Sequence, residues 1–150
     1  MTMKLHPDFN AFIELLNKHK VKYLIVGGYA VAFHGYVQAT GDLDIWLKIE
    51  KENAMRTLNV LKEFGFQSLG LSVEDFQQEY AIIQLGYPPY RIDLITTPDG
   101  VNFDECYDKR IESTDASGVK LNFIDLESLR KNKRSSGRRQ DLLDLDNLPG

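Results

Sequence analysis

Apolar positions along this chain follow two rhythms, one helical and one extended, and the switches between them lay out the expected elements. Phe9, Phe12, Ile13, Leu15 and Leu16 follow Pro7-Asp8 at helical spacing and predict a helix to about Lys20. The run VKYLIV, residues 21–26, reads as a short buried strand ended by Gly27-Gly28, and residues 29–34 as a short helix stopped at Gly35. Residues 42–49 alternate as a strand. Ala54, Leu58, Leu61 and Phe64 then return to helical spacing, with Gly65 as the C-terminal stop.

Residues 66–71 read as a further strand, and residues 80–85 and 90–95 as a strand pair around the turn-rich Gly86-Tyr87-Pro88-Pro89. A short helix is expected near 103–107. After Gly118, KLNFI reads as a strand, and Asp125 is a candidate N-cap for a helix through Leu126 and Leu129. Beyond Gly137 a last helix over 138–148 carries Leu142, Leu145 and Leu148. Strands and helices mixed without strict alternation predict an α+β (or α/β) fold, a small mixed central sheet flanked by helices. No interdomain linker is evident. The expectation is one domain over residues 1–150, with a core at about 7–115 and a C-terminal helical part at about 125–148.

Composition narrows the class. The 43% hydrophobic and 27% charged residues are those of an ordinary globular protein rather than a disordered chain. One cysteine, Cys106, excludes an internal disulfide framework and Cys-rich metal sites and fits a cytoplasmic location. Its acidic surroundings, DECYDK, favour packing over thiolate chemistry. MTMKLHPDFN lacks the apolar segment of a signal peptide and no long apolar run follows, so neither secretion nor membrane spanning is expected. The net charge of −4 argues against a generally basic nucleic-acid wrapper, yet residues 130–139 (RKNKRSSGRR) hold six basic side chains. That run is either a solvated helix face or a local anion-binding face.

The candidate chemistry lies in the acidic strand positions. Asp42 and Asp44, two apart on a strand, point the same way, while Leu43, Ile45 and Leu47 point into the core. Such a pair alone is an ordinary solvated strand edge. A third acid, Asp93 in RIDLIT, lies between apolar neighbours, an uncomfortable place for a lone carboxylate. If its strand runs beside the first, three carboxylates converge, and hard oxygen ligands of that kind suit Mg²⁺ or Mn²⁺. Gly27-Gly28 is either a plain tight turn or a place where backbone N–H groups approach phosphates. Thr40 is either a cap before the strand or a substrate contact. His34 is expected to satisfy backbone carbonyls at its helix end, His6 and His19 to lie on the surface, Trp46 to pack under a helix, and Tyr87-Pro88-Pro89-Tyr90 to form a rigid turn.

Taken together, Val26-Gly27-Gly28, then Asp42-Leu43-Asp44-Ile45, then Ile92-Asp93-Leu94 resemble the nucleotidyltransferase superfamily, whose fold is shared with DNA polymerase beta. The segment Gln38-Ala39-Thr40-Gly41-Asp42-Leu43-Asp44 and the C-terminal GVKLNFIDLESLRKNKRSSGRRQDLLDLDNL are similar to the small bacterial proteins of the AbiEii toxin and minimal nucleotidyltransferase type. Lys133, Gly137, Arg138 and Asp141 stand at matching positions, and Gln38 stands where that pattern has Arg. The resemblance implies a metal site of Asp42, Asp44 and Asp93, with Asp93 completing it as the candidate general base. Gly27, Gly28, Thr40, Lys133 and Arg138 are the implied nucleotide-binding residues. It also implies a Mg²⁺- or Mn²⁺-dependent enzyme that moves a nucleoside monophosphate from an NTP to a hydroxyl on tRNA, a protein or a small molecule. The alternative is a non-catalytic binding protein on the same scaffold, such as a component of a toxin–antitoxin pair acting on a partner protein.

Overall fold

The computed structural model describes residues 3–37 and 41–149. Gln38 and Thr40, part of the segment singled out from the sequence, lie outside them. Helix α1 (Pro7–Lys18) starts with Pro at its first position, where a missing N–H costs nothing, and the His6 ring nitrogen accepts the Asp8 N–H at 3.1 Å. Its buried face is Phe9, Phe12, Ile13 and Leu16.

Strand β1 (Tyr23–Val26) is buried throughout and runs directly into α2 (Gly27–Phe33). The two glycines therefore open the helix instead of forming a separate turn. Strand β2 (Asp42–Leu47) follows, then α3 (Lys51–Phe64), which ends on Gly65 at φ +101°, a left-handed cap that glycine adopts without strain. Asn53 of α3 bonds Lys22 through both main-chain groups and the Lys48 carbonyl, tying the ends of β1 and β2 together.

Residues 66–71 do not form a strand. They hold a short 3-10 turn, Gln67–Leu69, closed by Gly70 at φ +68°. The Phe66 N–H donates back to the Leu61 carbonyl at 2.8 Å, so the chain reverses there before an extended segment can start. Strands β3 (Ile82–Tyr87) and β4 (Tyr90–Ile95) pair as a hairpin with Pro88-Pro89 at its tip. Helix α4 (Phe103–Asp108) precedes β5 (Ile111–Thr114) and β6 (Lys120–Phe123). The sequence reading missed β5, an edge strand whose Ile111, Glu112 and Thr114 are exposed, leaving no apolar alternation to detect.

Among the described residues the strands form one six-stranded mixed sheet in the order β3-β4-β2-β1-β6-β5. The fold is thus of the expected α+β class. Strands β1 and β2 are antiparallel and occupy the middle, and β4 runs parallel to β2 on its other side. The Tyr23 hydroxyl donates to Asn17 of α1 on one face, and Trp46 stands edge-on to Phe103 of α4 on the other. Trp46 is a packing residue, 2% exposed, with its indole N–H donating to the Thr96 carbonyl. His34 caps α2 and bonds the Ile124 carbonyl at 2.7 Å, as its helix-end position predicts. Cys106 is buried, and burial pushes its thiol up, in keeping with a packing role.

Helix α5 (Leu126–Ser136) is capped by Asp125, whose carboxylate accepts the Ser128 N–H, and stops at Gly137. Helix α6 (Arg139–Asn147) follows the expected pattern in part: Leu148 just beyond it is buried in the core and Leu145 is half-buried. Leu142 and Leu143 are exposed, while Asp141 and Asp144 are buried. No helix among the described residues is long and apolar enough to cross a membrane.

Candidate functional site

The register between β2 and β4 decides what the acidic strand positions do. Asp44 lies opposite Asp93, and Asp42 opposite Arg91. Residues opposite each other in adjacent strands share a face, so Asp42, Asp44, Arg91 and Asp93 gather on one side. Leu43 and Ile45 between them are fully buried on the other side.

Arg91 joins the acids in this cluster and was not among the residues singled out from the sequence. Its Nε donates to Asp93 Oδ1 at 2.8 Å, and its Nη2 donates to Asp93 Oδ2 at 3.1 Å and to Asp42 Oδ2 at 3.0 Å. The signal was present: Arg91 and Asp93 stand two apart, the same spacing that marked Asp42 and Asp44. The Asp44 carboxylate makes no hydrogen bond among the described residues. Burial, then the charges of Asp93 and Asp42, push its carboxyl up to about 7, against a downward pull from Lys133 and Arg91.

Gly27 belongs to this cluster for a steric reason. A Cβ at its position would lie 2.0 Å from Asp44 Oδ2, and its φ is +67°. Only glycine allows both the close approach and the left-handed backbone there. Gly27→Ala is expected to displace the Asp44 carboxylate and to cost roughly 1–3 kcal/mol of stability, read by urea unfolding. An unchanged unfolding midpoint would contradict the steric account. Gly28, one residue further into α2, does not line the cleft.

The acids face a cleft of about 510 Å³. Val26, Gly27, Asp42, Asp44 and Asp93 form one side, and Asn132, Ser136 and Arg138 of the α5–α6 corner form another. Tyr80, Ile82 and the loop Thr97-Pro98-Asp99 complete it. That loop is fixed to α5, since the Asn132 amide donates to the Asp99 carbonyl at 2.8 Å and a Cβ on Gly100 would meet Ser135 Oγ at 2.0 Å.

The two basic residues implied by the family resemblance have different fates. Arg138 lines the cleft; its Nε donates to Asp141 at 2.8 Å while its side chain stays 78% exposed. Lys133 does not reach the lining. Its ammonium is buried between Asp141 Oδ1 at 3.1 Å and Asp144 Oδ2 at 3.0 Å. Burial alone would raise the Asp141 carboxyl, but hydrogen bonds from Arg138, Ser136 and Lys133, with the Lys133 charge, hold it at about 2.

The donor set near the cleft mouth is all carboxylate oxygen, which suits a hard divalent cation such as Mg²⁺ or Mn²⁺. Three carboxylates against one guanidinium also leave the set acidic, and Asp44 lacks a compensating bond. The side chains therefore fit such an ion by chemistry. They do not form a ready cage: among the described residues no group of three or more His, Cys, Asp or Glu is placed to hold a metal, and Arg91 spans two of the acids instead. No protein-family model and no curated protein matches this chain.

Proposed function

We propose that the protein is a nucleotidyltransferase that moves a nucleoside monophosphate from an NTP to a hydroxyl acceptor, with release of pyrophosphate. The observation that carries this reading is the β2–β4 register, which turns Asp42, Asp44 and Asp93 toward one cleft with Gly27 at their side and Arg138 across from them. Asp42, Asp44 and Asp93 would hold Mg²⁺ or Mn²⁺, which when bound neutralises phosphate charge and favours departure of pyrophosphate. Asp93 is the candidate acceptor of the proton from the attacking hydroxyl. Arg138, exposed at the cleft and held at its Nε by Asp141, is the candidate contact for the triphosphate. Lys133 supports it from beneath by fixing Asp141.

The AbiEii-type nucleotidyltransferase resemblance supports the same reading through the spacing of Gly27-Gly28, Asp42-Leu43-Asp44 and Asp93. The acceptor class remains tRNA, a protein or a small molecule. Incubation of the purified protein with labelled NTP, Mg²⁺ and candidate acceptors tests the reading. Labelled acceptor is expected from the wild type and none from Asp44→Ala or Asp93→Ala. Transfer that survives both substitutions would remove the assigned site.

A second reading has one observation in its favour. Arg91 already neutralises two of the three acids without any metal, as a scaffold retained for contact rather than catalysis would allow. The chain would then be a non-catalytic binding protein, such as a toxin–antitoxin component. Calorimetry separates the two: Mg²⁺-dependent NTP binding belongs to the enzyme, and none at millimolar ligand belongs to the contact protein.

A further inference from the structure

We propose that Arg91 is a resident counter-ion of the acid cluster, displaced when a divalent cation enters, so that metal binding and guanidinium release are one coupled event. This inference rests on the nucleotidyltransferase reading of the cleft and adds a control on it.

The geometry makes Arg91 more than a neighbour. It stands two residues before Asp93 on β4, so both side chains leave the same face, and it lies opposite Asp42 on β2. Its Nε and Nη2 occupy both oxygens of Asp93, and the same Nη2 reaches Asp42 Oδ2. The guanidinium therefore bridges two strands across the positions that a cation would use. A metal on Asp42 and Asp93 would have to take oxygen lone pairs that now accept N–H bonds, with a positive group held at the same oxygens.

Arg91 cannot yield by losing its proton, because guanidinium stays charged at any working pH. It can yield by moving. Its side chain is 24% exposed, against 11% for Asp93, so the head has an outlet to solvent that the acid beneath it lacks. Without metal the bridge would keep Asp42 and Asp93 from repelling one another. With metal the same charge becomes the competitor. If Arg91 served only to orient the carboxylates, its removal would weaken metal binding; as a competitor, its removal must strengthen it. The two roles predict opposite signs.

Mn²⁺ affinity, measured by electron paramagnetic resonance on the full chain, reads the difference. Arg91→Met is expected to bind Mn²⁺ about tenfold more tightly than the wild type, the size of one modest charge interaction. Arg91→Lys, which keeps the charge but not the two-oxygen grip, is expected to fall between them. Wild-type binding with equal or weaker binding by Arg91→Met would overturn the counter-ion role while leaving the metal site standing. No Mn²⁺ binding by wild type and variants alike would overturn the metal reading itself.

A second measurement needs no destabilised variant. In wild-type protein, the Arg91 Nε–H resonance, assigned by its loss in Arg91→Lys, is expected to move to the position of a solvent-exposed arginine as Mg²⁺ is added. A resonance that stays put while Mg²⁺ saturates the site would reject displacement.

Discussion

Lys133→Ala is expected to destabilise the protein by about 3–5 kcal/mol, the usual cost of removing one partner from a buried ion pair. The Lys133, Asp141 and Asp144 side chains are only 9%, 2% and 1% exposed. Removing the ammonium leaves two carboxylates facing one another out of water. Asp141 keeps bonds from Ser136 and Arg138, and Asp144 keeps one from Gln140, but these are partial substitutes for a shared charge. Asp144→Asn should cost less, since Lys133 and Asp141 remain paired. Urea unfolding at neutral pH measures both. A Lys133→Ala loss below about 1 kcal/mol would show that the triad does not hold α6 against α5. With the expected loss, an inactive Lys133 variant would reflect the lost fold contact and not a lost NTP contact.

Asp44→Asn is expected to do the opposite and stabilise the metal-free protein. Asp44 shares a face with two other carboxylates, its own makes no hydrogen bond among the described residues, and its carboxyl is raised to about 7 by burial and by Asp93 and Asp42. The folded chain therefore holds this proton more tightly than the unfolded chain, whose Asp titrates near its ordinary value of about 4. Stability then falls as pH rises from about 4 to about 7, and the penalty is complete above that. Asparagine does not titrate, so the variant escapes the penalty. With chelator present, the variant and the wild type should unfold alike near about pH 4 and separate by up to about 4 kcal/mol near about pH 8. Thermal unfolding at the two pH values reads the separation, expected to reach roughly 8–16 °C at the higher pH. A variant no more stable than wild type there would mean that Asp44 is already compensated, and the need for a cation at this place would lapse. Sites gathered for a ligand commonly lower the stability of the empty protein in this way.

Strand alternation made much of this legible in advance. Leu43 and Ile45 turned inward and Asp42 and Asp44 outward because a half-buried strand leaves its side chains no other arrangement. That Asp93 would join them depended on its strand lying parallel beside β2, a pairing that no local pattern records. Arg91 stands two residues before Asp93, so alternation puts both on one face, but its bond to Asp42 depends on the same strand pairing. Of the leucines expected on the buried side of the last helix, Leu148 is buried and Leu145 half-buried, and Leu142 alone is exposed, for a physical reason. A helix usually buries its apolar side, but here the buried ammonium of Lys133 draws Asp141, eight positions along the chain, into the interior, together with Asp144. The turn at residues 67–69 and the exposed strand β5 failed in the ordinary way, since neither carries an apolar rhythm.

In the proposed function, Asp42, Asp44 and Asp93 form a divalent-metal site that serves a nucleoside triphosphate. Titration calorimetry with a non-hydrolysable NTP analogue, with and without Mg²⁺, on wild type and Asp44→Asn tests it most directly. Wild-type binding is expected only when Mg²⁺ is present, and its loss is expected in Asp44→Asn although that variant is folded and more stable. Binding that ignores Mg²⁺, or that persists undiminished in the variant, would contradict it.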